Sequence, residues 1–178
     1  VKTESGKIVI SGAIDRVDEA VIDGKKYVRI VDYKSSGKDF RLSDVVQGLN
    51  MQMLIYLFTL WENGKKKFGE FTPAGVLYYP ANSPLVSVAR NSTDEEIEAE
   101  RQKKCTMTGI VLDNSEVIKA MDSTESGTYI PVKYKGGQFV GSLIGLSQLE
   151  KLKEKADAIL VEMADALHSG RIDAVPSY

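Results

Sequence analysis

Two stretches decide how this chain is read: Gly12-Ala13-Ile14-Asp15-Arg16-Val17-Asp18, and Tyr27-Val28-Arg29-Ile30-Val31-Asp32-Tyr33-Lys34. Asp23-Gly24 lies between them, a pair favoured in the tight turns of β-hairpins. Antiparallel strands are therefore expected over residues 6–18 and 26–34. Both carry apolar residues on each face, as central strands covered from two sides do. Side chains alternate along a strand, so Val28, Ile30, Asp32 and Lys34 share one face. A carboxylate and an ammonium thus end an apolar row, where unpaired charge is costly. Asp15 is expected to end its own strand in the same way, behind Val9 and Ala13. Charges that break a hydrophobic pattern at strand ends are candidate functional positions.

Outward from this hairpin, Ser35-Ser36-Gly37-Lys38 reads as a loop. Val46, Leu49, Met53, Leu57 and Leu60 recur at helical spacing and predict one long helix over 42–62, capped by Ser43 or Asp44 and stopped by Asn63-Gly64. Residues 74–79 form a third strand, ended by Pro80. A charged helix is expected over 94–104, with Ser92 or Thr93 as its cap and acids in the first turn. A short helix follows over 115–121, then a second hairpin within 128–143 around Gly136-Gly137. Residues 147–168 are amphipathic at helical period and stop at Gly170. The order β-β-α-β followed by helices indicates a mixed α/β sheet flanked by helices.

The 178 residues fit one domain, 1–178, able to bury a core. Apolar residues make up 43% and charged residues 27%, ordinary for a globular protein. The apolar stretch from Met53 to Trp61 is too short to span a bilayer. One cysteine, Cys105, excludes an internal disulfide framework and points to a reducing compartment. The net charge of −2 carries no global signal for nucleic acid. The clusters Lys65-Lys66-Lys67, Lys103-Lys104, and Lys133 with Lys135 read as solvated patches. Any nucleic-acid role must rest on the site itself, or on basic surfaces elsewhere in a larger assembly.

Two carboxylates from adjacent strands could hold a hard divalent cation, which prefers oxygen ligands and keeps several waters. Such a cation would polarise a phosphodiester oxygen and lower the pKa of a bound water. Lys34 would orient the attacking water or neutralise charge building in the transition state. Together these functions amount to phosphodiester hydrolysis.

The arrangement resembles the PD-(D/E)xK nuclease superfamily, in which an Asp and then Asp/Glu-x-Lys sit on a hairpin. Gly12 to Asp18, Val31-Asp32-Tyr33-Lys34-Ser35 and the run Gly48 to Leu57 resemble its RecB-type branch, whose own signature matches Gln52-x-x-x-Tyr56. Met107 to Leu112 adds a likeness to AddB-type nuclease domains of bacterial ATP-dependent helicase-nucleases. The resemblance implies a restriction-endonuclease-like sheet, with a catalytic core over about 1–80 and a helical elaboration over about 90–170. It implies Asp15, Asp32 and the Tyr33 carbonyl as metal ligands, Lys34 as the catalytic lysine, and Gln52 and Tyr56 as site-supporting residues in contact with DNA. The implied metal is Mg²⁺, with Mn²⁺ able to substitute. The implied activity is DNA exonuclease in double-strand-break repair and recombination, beside an AddA-type subunit in the cytoplasm. A helix before the first strand and four cysteines for an iron–sulfur cluster also belong to the pattern. Neither is found between Val1 and Ile172-Asp173-Ala174-Val175-Pro176, so a piece of a longer protein, without its cluster ligands, is expected. A stand-alone RecB-like exonuclease is a weaker option.

Blander readings compete at each position. Asp32 and Lys34 could be a structural ion pair, and the domain a non-catalytic module that guides DNA or braces a neighbouring subunit. Asp18, on the opposite face from Asp15, is expected to pair with Arg16 or meet solvent. Tyr56 could be plain helix core. Met51, Met53 and Trp61 read as core or interface. His168 suits a helix C-terminus, and Cys105, lacking a base partner, reads as incidental.

Overall fold

Asp23 (φ 50°) and Gly24 (φ 74°) both take the left-handed backbone that a two-residue hairpin turn requires. They fold β1 (Arg16–Ile22) back as β2 (Lys25–Lys34), antiparallel, with Arg16 opposite Val31 and Ile22 opposite Lys25. The computed structural model describes residues 1–3, 6–35, 39–82, 85–171 and 173. Residues 36–38 of the expected loop, and 172 and 174–176 of the tail, lie outside the described residues.

The expected first strand is displaced. Residues 8–15 join no ladder, and Lys7 makes only an isolated bridge with Lys2. For residues 8–12 the cause is the length of the partner, and the chain bends at Asp15. Ladder positions sum to 47, so a residue before Ala13 would need a partner beyond Lys34, where β2 ends. Val9 and Ile10 are accordingly exposed. Asp15 stands just ahead of its strand rather than at its end.

Two short helices replace the single helix expected over 42–62: α1 (Leu42–Val46) and α2 (Gln52–Asn63). Gly48 (φ 78°) and Asn50 (φ 53°) turn left-handed between them, and the Asn50 amide donates to Asp44 Oδ2 at 2.9 Å. Asp44 thus braces the break instead of capping a helix, and Ser43 makes no cap. Val46 and Leu49 are left exposed, while Met53, Leu54, Leu57 and Phe58 are buried. A single turn, α3 (Lys65–Phe68), leads to β3 (Thr72–Pro80).

The second half completes the same sheet. After α4 (Asp94–Lys104), closed by a Thr93–Glu96 capping box, come β4 (Thr108–Leu112) and α5 (Ser115–Met121). The hairpin β5 (Val132–Lys135) and β6 (Gln138–Gly141) follows, then β7 (Leu143–Ile144) and α6 (Leu146–His168). Sheet order is β1-β2-β3-β4-β7, with β2–β3 and β4–β7 parallel and the other pairs antiparallel. One face packs Ile30, Val76 and Ile110 against Met53, Leu57 and Phe58 of α2 and Leu149, Ala156 and Ile159 of α6. The other packs Val31, Leu77 and Val111 against Ile118 of α5, Ile130 and Val132. This is the mixed α/β sheet flanked by helices that the sequence predicts. No helix among the described residues is long and apolar enough to cross a membrane.

Leu57 is wholly buried where α2 meets the sheet. Leu57→Ala should cost about 2–5 kcal/mol of unfolding free energy in a denaturant titration, from lost transfer energy and the cavity left behind. Tyr78 lies beside Asp32 in the parallel register and is itself buried. Burial first, and the Asp32 charge second, push its phenol up to about 12. The unfolded phenol ionises near the usual 10. The stability tied to this group is therefore complete below pH 10 and lost as pH rises toward 12. An alkaline absorbance titration should show a phenolate component with a midpoint near 12 that is missing in Tyr78→Phe.

Candidate active site at the ends of β2 and β3

The site begins with how β2 ends. Val28 and Ile30 are fully buried on the face toward α2, and Asp32 follows them at 5% exposure. Lys34, two residues on, sets its Nζ 2.5 Å from Asp32 Oδ2. The contact is an ion pair by distance but is not aligned as a hydrogen bond, so Asp32 Oδ2 is buried with a counter-charge and no hydrogen-bond donor. The ammonium also stands 5.7 Å from the centre of the Tyr78 ring. Alternation along one strand places all of this on a single face, as expected.

Asp15 reaches the same strand end by a different bond. The Tyr33 backbone N–H donates to Asp15 Oδ2 at 3.0 Å. Asp15 lies at a bend just ahead of the ladder, so this bond, and not the register of β1, brings its carboxylate to the end of β2. The peptide joining Asp32 to Tyr33 therefore carries one carboxylate on its N–H and the other on its preceding Cα. The Lys34 carbonyl accepts from Ala81 N–H at 2.8 Å on the β3 side. Successive carbonyls of a strand point to opposite sides, so the Tyr33 carbonyl is directed toward β1 and Asp15.

Gln52 and Tyr56 occupy one face of α2, and Gln52 Nε2 donates to the Tyr56 hydroxyl at 3.1 Å. That hydroxyl rests against Gly12, where an added Cβ would lie 2.5 Å from it. The helix face is thereby joined to the segment that carries Asp15, three residues on. Among the described residues neither Gln52 nor Tyr56 hydrogen-bonds to Asp15, Asp32 or Lys34, so the five expected residues form an Asp32–Lys34 pair, Asp15 on the adjoining Tyr33 N–H, and a Gln52–Tyr56 pair beside them. Tyr56 also packs against the core, so its ring is half structural.

Asp18 lies on the opposite face and serves structure. Its Oδ1 takes Arg16 Nε at 2.6 Å and its Oδ2 takes Arg29 Nε at 2.9 Å. Burial alone would raise its pKa, but the two guanidinium groups outweigh this and hold it below the usual carboxylate value. His168 Nδ1 contacts the Ala164 carbonyl at 2.8 Å at the end of α6. Cys105 closes α4. Met51 and Met53 are core residues and Trp61 packs against them. The residue that sequence reading missed is Tyr78. Only the parallel register of β3 on β2 sets it beside Asp32, and the sequence carries no local sign of that register.

Among the described residues no three His, Cys, Asp or Glu side chains gather into a metal cluster. What the strand ends offer is two carboxylates and a backbone carbonyl, and one oxygen of the Asp32 carboxylate, Oδ2, is buried beside Lys34 with no hydrogen-bond donor. An oxygen-only set of this kind suits a hard divalent cation that keeps several of its waters, so the residues fit a Mg²⁺-class ion.

The sequence profile described as the PD-(D/E)XK nuclease superfamily matches residues 1–178. Relatives named as the B-type subunit of an ATP-dependent helicase/deoxyribonuclease are similar over nearly the whole chain. The one from Ruminiclostridium cellulolyticum is 39% identical over 99% of this chain and 16% of its own length. That from Thermoanaerobacter sp. is 35% identical over 96% and 15%. That from Oceanobacillus iheyensis is 36% identical over 96% and 15%. The chain thus spans about one sixth of the length of these relatives. With Asp15, Asp32 and Lys34 gathered at one strand end of a mixed sheet and the profile matched from end to end, the chain belongs to the PD-(D/E)XK nuclease superfamily.

Proposed function

We propose that this chain is the Mg²⁺-dependent DNA exonuclease domain of an AddAB-type helicase-nuclease. It would hydrolyse phosphodiester bonds in double-strand-break repair and recombination, with DNA and an AddA-type subunit as partners in the cytoplasm. The observation that carries this reading is the shared strand end: Asp15 on the Tyr33 N–H, and Asp32 paired with Lys34. Asp15, Asp32 and the Tyr33 carbonyl would hold the cation, which when bound supplies electrophilic polarisation of the phosphate and an acidified water.

The chain's own groups do the rest. The Tyr33 N–H fixes the Asp15 carboxylate, so its orientation is set before substrate arrives. Burial of Asp32 keeps water from weakening its field. Lys34 brings a mobile positive charge to the strand end, able to turn from Asp32 toward a phosphate as negative charge builds there. The Gln52–Tyr56 pair, braced on Gly12, lines the approach to Asp15 and contacts the DNA. A second reading is favoured by the closeness of the Asp32–Lys34 contact, which by itself would serve a non-catalytic module that guides DNA or braces its neighbour in the complex.

Strand cleavage separates the two readings. In the intact protein, Asp32→Ala or Lys34→Ala should lower cleavage by at least about a hundredfold, while ATP hydrolysis and unwinding continue. Calorimetric titration with Mg²⁺ or Mn²⁺ should show binding that disappears when Asp15→Asn and Asp32→Asn are combined. Undiminished cleavage in the Lys34 variant would favour the bracing module.

A further inference from the structure

Lys34 and Asp32 use one face of β2; Tyr33, between them, uses the other. Its ring is 43% exposed and meets the Tyr79 ring, itself 40% exposed, edge to face at 5.5 Å between centres and 68° between planes. The two are partners in the parallel register, at the carboxyl ends of β2 and β3. Ligands of open α/β sheets bind at such ends. Two half-exposed aromatic rings there are not explained by core packing. Arg16 Nη1 stands 3.4 Å from the Tyr33 hydroxyl, and its guanidinium is half-exposed at the rim. On its other side Tyr79 forms the wall of a cleft of about 570 Å³ with Pro80, Leu85, Glu98, Arg101 and Cys105, where the Arg101 guanidinium stands 3.7 Å from the Glu98 carboxylate. Leu85 in that wall is 92% exposed.

We propose that the Tyr33–Tyr79 pair is a stacking platform that positions an unpaired nucleobase next to the phosphate to be cut, with the cleft behind Tyr79 receiving the neighbouring nucleotide. The inference rests on the nuclease reading of the same strand end. Its occupant follows from three features. The platform adjoins the site through the Tyr33 backbone at the same strand ends, on the other face of the sheet, so a chain that runs over the ends of β2 and β3 from Asp15 and Lys34 reaches it. Aromatic faces take any base, because every base has a π-face. The rim carries arginine, the side chain that adds cation–π and phosphate contacts to such surfaces. Tyr33 then has two separable roles: its backbone holds Asp15, and its side chain positions substrate.

The test pairs substitutions in the complete protein with single-stranded oligonucleotides that carry one abasic residue, stepped along the strand from the cleaved bond. Loss of one stacked base costs about five- to a hundredfold in affinity. Tyr79→Ala should raise KM by a factor in that range, with Tyr79→Trp and Tyr79→Phe close to wild type and the thermal midpoint of Tyr79→Ala showing that it folds. One abasic position should cost wild type the same factor and cost Tyr79→Ala nothing further. An unchanged KM in Tyr79→Ala, or two losses that simply multiply at every abasic position, would overturn the platform. Such a result with cleavage still abolished by Lys34→Ala would leave the nuclease reading standing. Cleavage that survives Lys34→Ala would remove both.

Discussion

The hydrogen bond from the Tyr33 N–H to the Asp15 carboxylate holds the site together. β1 begins at Arg16, so without that bond nothing in the sheet ladder would hold Asp15 beside Asp32. The bond uses a backbone donor at the point where β2 leaves its neighbour, which is where a strand has donors to spare. It also imposes an order of construction. The hairpin must close in register, Arg16 against Val31, before Asp15 can find Tyr33. The turn at Asp23-Gly24 is therefore as necessary to the site as the carboxylates are.

The second constraint is the burial of Asp32. A carboxylate at 5% exposure is tolerated because Lys34 follows two residues later and Tyr78 shields it from the side. Replacing a buried ion pair with well-packed apolar groups is often neutral or stabilising. Stability alone therefore gives this chain no reason to end an otherwise apolar row, Val28 and Ile30, with two charges. Asp18 provides the contrast. It faces away from the site, bonds two arginines through both oxygens, and behaves as a structural anion should.

Much of this was legible because it depends on local periods. Alternation put Val28, Ile30, Asp32 and Lys34 on one face, and Thr93, one of the two expected caps, marked the start of the helix at 94–104. What was not legible depends on partners distant in sequence. Residues 8–12 have a strand's composition but no strand to pair with, because β2 ends too soon. Gly-Ile-Val-Leu in β4 is a short apolar run that alternation cannot assign, and β7 is two residues long. The break between α1 and α2 was written in Gly48 and Asn50, yet the spacing of Val46, Leu49 and Met53 concealed it. Apolar residues at helical intervals need not belong to one helix, and the exposure of Val46 and Leu49 shows that two of them do not reach the core. Tyr78 escaped notice because the parallel register of β3 on β2, which sets it beside Asp32, has no local signal.

A strand's period of two does more here than sort apolar from polar. In β2 the even positions carry the charges that face α2, while the odd position between them, Tyr33, carries an exposed aromatic ring to the other face. At the head of β1 the same division recurs: Asp15 serves the Tyr33 backbone and Arg16 reaches the Tyr33 hydroxyl. Five side chains from two segments, Asp15 and Arg16 with Asp32, Tyr33 and Lys34, thus meet around one peptide unit. The arrangement requires that β1 and β2 keep their register, because a slip of one residue would exchange the two faces and put the charges among the rings. What prevents the slip is the buried row on both sides of β2, with Ile30 against α2 and Val31 against α5. The hydrophobic core, in this sense, sets the spacing of the charged groups.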